Sequence, residues 1–236
     1  MARVAVVLCG CGRADGSEIH ESVSVLMHLS RLGAEYRCFA PDANQAEVIN
    51  HVTGKPMGQT RNCLVESARI SRGEISPLSA LEAEGFDAVF FPGGFGAAKN
   101  LCTFAKDGAN MAVNADVERV IKAFHGAGKP IGLCCIAPVL AARVLGRTAG
   151  ARGCEVTIGD DAGVSEAIAA WGSKNVVKPV DEAVVCAESN VVTTPAYMYG
   201  EATPHEVFTG IGRMVEETLA RCDGSAAGSV KVQSRV

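Results

Sequence analysis

Apolar residues fall along the chain in short, unbroken runs separated by amphipathic stretches. Residues 4–8, 88–91 and 130–133 are apolar at nearly every position, the pattern of parallel strands buried on both faces. Residues 36–40, 154–158, 175–177, 184–186 and 191–194 add further strand candidates, the last two as a hairpin around Glu188-Ser189-Asn190. Between them, periodicity near 3.6 predicts helices over 17–32, 113–124, 137–145, 164–171 and 204–219. Ser17 is read as the first N-cap and Gly33 as the residue that ends that helix. Residues 42–61 read as a long connection, 63–71 as a short helix, and 75–81 as a turn with another short helix. Strands alternating with helices in this way predict one doubly wound α/β domain over residues 1–222. Residues 223–236 are rich in Ser, Gly and Ala and read as a disordered tail.

In such sheets ligands bind beyond the carboxyl ends of the strands, which sorts the candidate chemistry by position. The run Lys129 to Pro138, K-P-I-G-L-C-C-I-A-P, takes a buried strand sharply into a helix with proline in its first turn. That is the shape of a nucleophile elbow, with Cys134 and Cys135 competing for the turn. Cys135 has the small Ala137 two residues on, where Cys134 has Ile136, and it lies nearer the helix start. Strand alternation would then turn the Cys134 side chain to the opposite face, as a structural thiol. Two buried core cysteines are the competing reading. Helix dipole and backbone N–H donors would lower the Cys135 pKa to ~5–7.

Pro92-Gly93-Gly94-Phe95-Gly96 ends another buried strand, and the Gly94 N–H with that of Ile136 would make an oxyanion hole. Glu18, His20 and Glu21 open the first helix on the same face. Glu18 suits a dipole-complementing role, and Glu21, a turn deeper, could point at the cysteine, held protonated beside a thiolate. His51 lies on this face without diagnostic spacing, His28 is a packing or surface residue, and His125 precedes a strand and so belongs to the opposite end. His205, some way downstream, could complete a distant triad. Gly10, Gly12 and Gly16 make an imperfect dinucleotide fingerprint, with Arg13-Ala14-Asp15 putting a carboxylate where pyrophosphate would lie.

Composition narrows the partners. The net charge of −4 argues against nucleic acid or an anionic membrane, and no apolar run reaches the roughly 20 residues of a membrane span. Ten scattered cysteines fit a reducing compartment, and none has zinc-site spacing, so no metal is expected.

Four stretches together carry a resemblance: G-C-G-x-x-D-G-x-E-I-H-E from Gly10, F-P-G-G-F-G-A-A-K-N-L from Phe91, the elbow itself, and V-T-T-P-A-Y-M from Val192. With them the chain resembles the PfpI-like branch of the class I glutamine amidotransferase-like superfamily, and more narrowly the ElbB-type glyoxalase subfamily. The resemblance implies a flavodoxin-like α/β sandwich, Cys135 as nucleophile, Glu21 as the pocket glutamate, and Gly93 and Gly94 as the oxyanion-hole pair. It implies conversion of a small reactive carbonyl, glyoxal or methylglyoxal, to a hydroxy acid without cofactor, by a homodimer or larger homo-oligomer in the cytoplasm or mitochondrion. Leu133 at the elbow and the lack of a histidine after the cysteine count against peptidase or glutamine hydrolysis. The alternatives are a cysteine amidase or deglycase using His205, or an oxidation sensor. Glu18 and His20 are the reserve acid/base groups.

Overall fold

The computed structural model describes residues 1–222, so the expected tail over 223–236 lies outside the described residues. The apolar runs become the strands of one seven-stranded sheet in the order β10-β11-β7-β6-β1-β2-β5. Its members are β1 (Arg3–Val7), β2 (Glu35–Ala40), β5 (Ile75–Pro77), β6 (Ala88–Phe91), β7 (Ile131–Cys134), β10 (Val184–Cys186) and β11 (Val191–Thr194). All neighbours run parallel except β10, which folds back on β11 as the hairpin the sequence predicts. The fold is the flavodoxin-like α/β sandwich.

Alternation along the strands divides the interior in two. Val89, Phe91, Ile131 and Leu133 face a layer built by α3 (Phe95–Lys99), α5 (Ala115–Gly126), α6 (Pro138–Val144) and α7 (Ala162–Ala170). Val4, Val6, Phe90 and Val192 face α1 (Ile19–Arg31) and α8 (Pro204–Leu219), which pack against each other. Three of these helices start where a side chain satisfies their free N–H groups: Asn114 caps α5, Asp161 caps α7, and Thr203 with Glu206 forms a capping box on α8.

Several expectations are corrected. Glu18, not Ser17, caps α1; Ser17 is fully buried and its hydroxyl accepts from Cys9 N–H at 2.9 Å. Residues 75–77 form edge strand β5 before a short 3-10 turn over Leu78–Ala80. The 42–61 connection contains a hairpin, β3 (Ile49–Asn50) with β4 (Lys55–Pro56), and α2 (Cys63–Ser67) follows. Residues 154–158 and 175–177 contribute only a short parallel pair, β8 (Glu155–Val156) and β9 (Lys174–Asn175). α4 (Phe104–Asp107) was not foreseen. The strand order reverses at β1, which sends the chain to β2 on one side and receives β6 on the other. The loops after β1 and β6 therefore open a crevice at the carboxyl edge.

Candidate functional site

Strand β7 ends at Cys134, and Cys135 then adopts φ +59°, a left-handed backbone that costs a side-chain-bearing residue on the order of 1–3 kcal/mol. Its N–H is tied to Thr194 O of the neighbouring strand at 3.1 Å, and Pro138 opens α6. This is elbow geometry. Cys135 is 7% exposed at the floor of a cavity of about 570 Å³. The backward turn also brings Cys135 onto the face that Cys134 already occupies. Expected on the opposite face, Cys134 packs in the α1–α8 layer with Cys135, its sulfur 3.7 Å from Glu21 Oε2. The left-handed residue breaks the alternation, so both thiols share one carboxyl.

Glu21 is fully buried just behind that wall. It is held by Gly93 N–H at 3.0 Å on Oε2, Tyr197 N–H at 3.2 Å on Oε1, and the Cys135 thiol. Burial, helped by the Glu18 carboxylate, pushes the Glu21 carboxyl up to about 7, and the three donors only partly oppose it. Gly93 must lack a side chain because a Cβ there would overlap Cys135 Cβ and crowd Glu21 Oε2. Since its N–H is spent on Glu21, Gly93 is a carboxylate clamp rather than part of an oxyanion pair. The N–H groups aimed at the Cys135 sulfur are those of Gly94 and Ile136.

The Cys135 thiol itself corrects the expected lowering. Burial and the Glu21 carboxylate push it well above its ordinary value, and the two N–H donors pull less strongly. The resting pair is a thiol donating to a carboxyl, with the proton kept between them.

Glu18 lines the cavity but is occupied as a cap, accepting from Glu21 N–H at 2.7 Å. His20 lines it too, with Nδ1 2.8 Å from the Tyr197 hydroxyl. His205 stands exposed on the first turn of α8 and is not part of the cavity wall. His51, off the cavity, donates from Nδ1 to Ile49 O and accepts from Ala14 N–H at Nε2, bracing the first glycine loop. His125 bonds Ser189 O at the far end of the sheet, and His28 packs on Phe208.

Tyr197 is the residue that sequence reading missed, since it touches Glu21 through its backbone and His20 through its hydroxyl. Its place directly beyond β11, on the carboxyl edge, was the available signal.

The glycine loop after β1 has a structural use. Its N–H groups at Gly10, Gly12, Ala14 and Gly16 all donate within the protein, leaving no cradle for pyrophosphate. The loop instead supports the second glycine turn: Arg13 O accepts from Phe95 N–H and Gly16 O from Gly96 N–H. Among the described residues no group of three or more His, Cys, Asp or Glu side chains is arranged to hold a metal ion. A wider hollow of about 770 Å³ by Met1, Arg3 and Glu35 lies at the opposite end of the sheet and holds no comparable chemistry.

Relatives share this chain over most of its length. The human glutamine amidotransferase-like class 1 domain-containing protein 3, mitochondrial, is 56% identical over 228 residues, covering 92% of this chain and 82% of its own. A crystal structure of an Ehrlichia chaffeensis isoprenoid biosynthesis protein with an amidotransferase-like domain is 34% identical. It superposes with TM-score 0.86 over 94% of this chain and 99% of that one. A DJ-1 superfamily protein from Agrobacterium tumefaciens, 19% identical with TM-score 0.51 over 94% and 96% of the two chains, shares the fold. No family profile matches the chain.

Proposed function

Because the chain belongs to the class I glutamine amidotransferase-like family, we propose that it is a cofactor-independent glyoxalase with Cys135 as nucleophile and Glu21 as proton carrier. The observation that carries this reading is the buried Glu21 carboxyl, poised near 7 and in contact with the elbow thiol. A base whose pKa lies near the working pH can both take and return a proton.

In this scheme Glu21 accepts the thiol proton as the sulfur bonds to the aldehyde carbon of glyoxal. The resulting oxyanion rests on the N–H groups of Gly94 and Ile136, now freed from sulfur, and takes the thiol proton back from Glu21, which leaves Glu21 a carboxylate again. Glu21 next takes the proton from the carbon bound to sulfur, giving an enediolate, and returns it to the neighbouring carbon while the hydroxyl proton passes from the first oxygen to the second. The product is a glycolyl thioester. Water adds to its carbonyl and releases glycolate, restoring the thiol, so the net change is glyoxal plus water to glycolate. The His20–Tyr197 pair stands where it could orient that water.

The hydrolase alternative loses support because its histidine, His205, stands outside the cavity. The oxidation-sensor alternative is disfavoured by a raised thiol pKa, since peroxide reacts with thiolate. The mitochondrial designation of the human relative supports a mitochondrial setting for the reaction. The test is purified protein with glyoxal and no added thiol, with product followed by NMR. Glycolate should form with wild type and not with Glu21→Gln; unchanged turnover by Glu21→Gln would remove Glu21 from the scheme.

A further inference from the structure

Resting on the glyoxalase reading, we propose that the substrate is a 2-oxoaldehyde carrying an alkyl or aryl arm, with its carbonyl at Cys135 and its arm along an apolar wall. Glyoxal has four heavy atoms and displaces two or three waters of about 30 Å³ each, a small part of the 570 Å³ cavity. A cavity of this size is ordinarily matched to a much larger ligand.

Beside the polar Arg13, Glu18, His20 and Asp161, the cavity lining carries hydrocarbon from four separate segments. Phe95 opens α3, Phe104 opens α4, Val164 sits in the first turn of α7, and Met198 follows β11. Phe95 is 54% exposed although it lines the cavity, with Lys99 Nζ 5.1 Å from its ring centre. An aromatic ring left this open beside a nucleophile has a face free for a ligand. Phe104 is held edge-on by the buried Trp171, ring centres 5.9 Å apart, and Trp171 is in turn fixed by its indole N–H to Ala109 O at 2.8 Å. Phe104 is therefore held in place before any ligand arrives, which lowers the ordering cost of binding an arm.

Each methylene moved from water to such a wall strengthens binding about fourfold. Two of the five additional methylenes of 2-oxooctanal, fully buried, already give more than tenfold over methylglyoxal. The experiment compares kcat/KM for the two substrates, with folding verified by circular dichroism. We expect at least a tenfold advantage for 2-oxooctanal, reduced about fivefold by Phe104→Ala and by Ala105→Trp, the latter narrowing the cavity from an exposed rim position. Turnover of both substrates without an advantage for the longer arm would overturn the inference and leave the glyoxalase reading standing. If neither is turned over, that reading falls, and protection of Cys135 from iodoacetamide decides the arm site separately. Heptan-2-one should protect at a concentration at least tenfold below acetone; equal protection would overturn the inference.

Discussion

Helices α1 and α5 are of similar length and flank the same sheet, but they bury different things. α5 places only Val117, Val120, Ile121 and Phe124 against the strands. α1 buries Val25, Leu26 and Leu29, and also Glu21, Ser22, Ser24 and His28. A buried polar group costs stability unless fully partnered, and among the described residues Glu21 has no cation beside it, only N–H and S–H donors. Glu66, by contrast, is ion-paired to Arg69 and Arg61. Where a fold places an unneutralised carboxyl in its interior without an ion partner, reactivity rather than stability is the economical explanation.

The contrast can be broken from either side. The largest effect is expected at Cys135→Ser, which should lower kcat at least about a thousandfold because serine is a far weaker nucleophile here. Its unfolding midpoint should stay close to wild type; equal activity would remove the elbow from the chemistry. On the α5 side, Phe124→Ala should cost about 3–5 kcal/mol in denaturant unfolding through the cavity it leaves, while turnover per folded molecule changes less than about twofold. A turnover collapse without a stability loss would show that the two layers are not divided as described.

Glu21 supplies the next effect. Its folded pKa of about 7 lies above the ordinary 4.5, so the protonated form favours the fold. That contribution is complete below about pH 4.5 and is lost as pH rises through 7, a swing of about 3 kcal/mol. Wild type should therefore lose stability between pH 5 and pH 8 with a slope that Glu21→Gln lacks; identical slopes would mean Glu21 does not titrate in this range. Activity should move the other way, rising through about pH 7 as the carboxylate that accepts the thiol proton appears. The smallest effect is at Cys134→Ala. Removing its weak S–H donor to Glu21 should shift the activity midpoint upward by about a few tenths of a pH unit. A downward shift would show that Cys134 does not donate to Glu21.

Much of this division was legible beforehand. Continuous apolar runs located β1, β6 and β7, and proline after the cysteines located the elbow, because those patterns follow from burial and backbone geometry alone. The same reasoning failed where one backbone angle reset the geometry. Alternation puts Cys134 and Cys135 on opposite faces, but φ +59° at Cys135 turns its thiol back to the side of Cys134 and Glu21. β5 escaped because three half-buried residues ending in proline carry no period to detect. The raised thiol pKa is not legible in sequence because the helix dipole is visible there, whereas near-complete burial beside a carboxyl is a tertiary fact.

The bond from Tyr197 N–H to Glu21 joins residues 176 positions apart. A ribosome delivers the first of these early and the second only when the chain is nearly finished, so strands β1 to β7 are all synthesised before Tyr197 exists. Such a long-range closure belongs to the slow, late part of folding. The nascent or partly unfolded chain thus carries an elbow cysteine without the backbone donor that holds Glu21 beside it, and the proposed chemistry becomes available only on completion. Maturation of activity should accordingly trail acquisition of secondary structure during refolding.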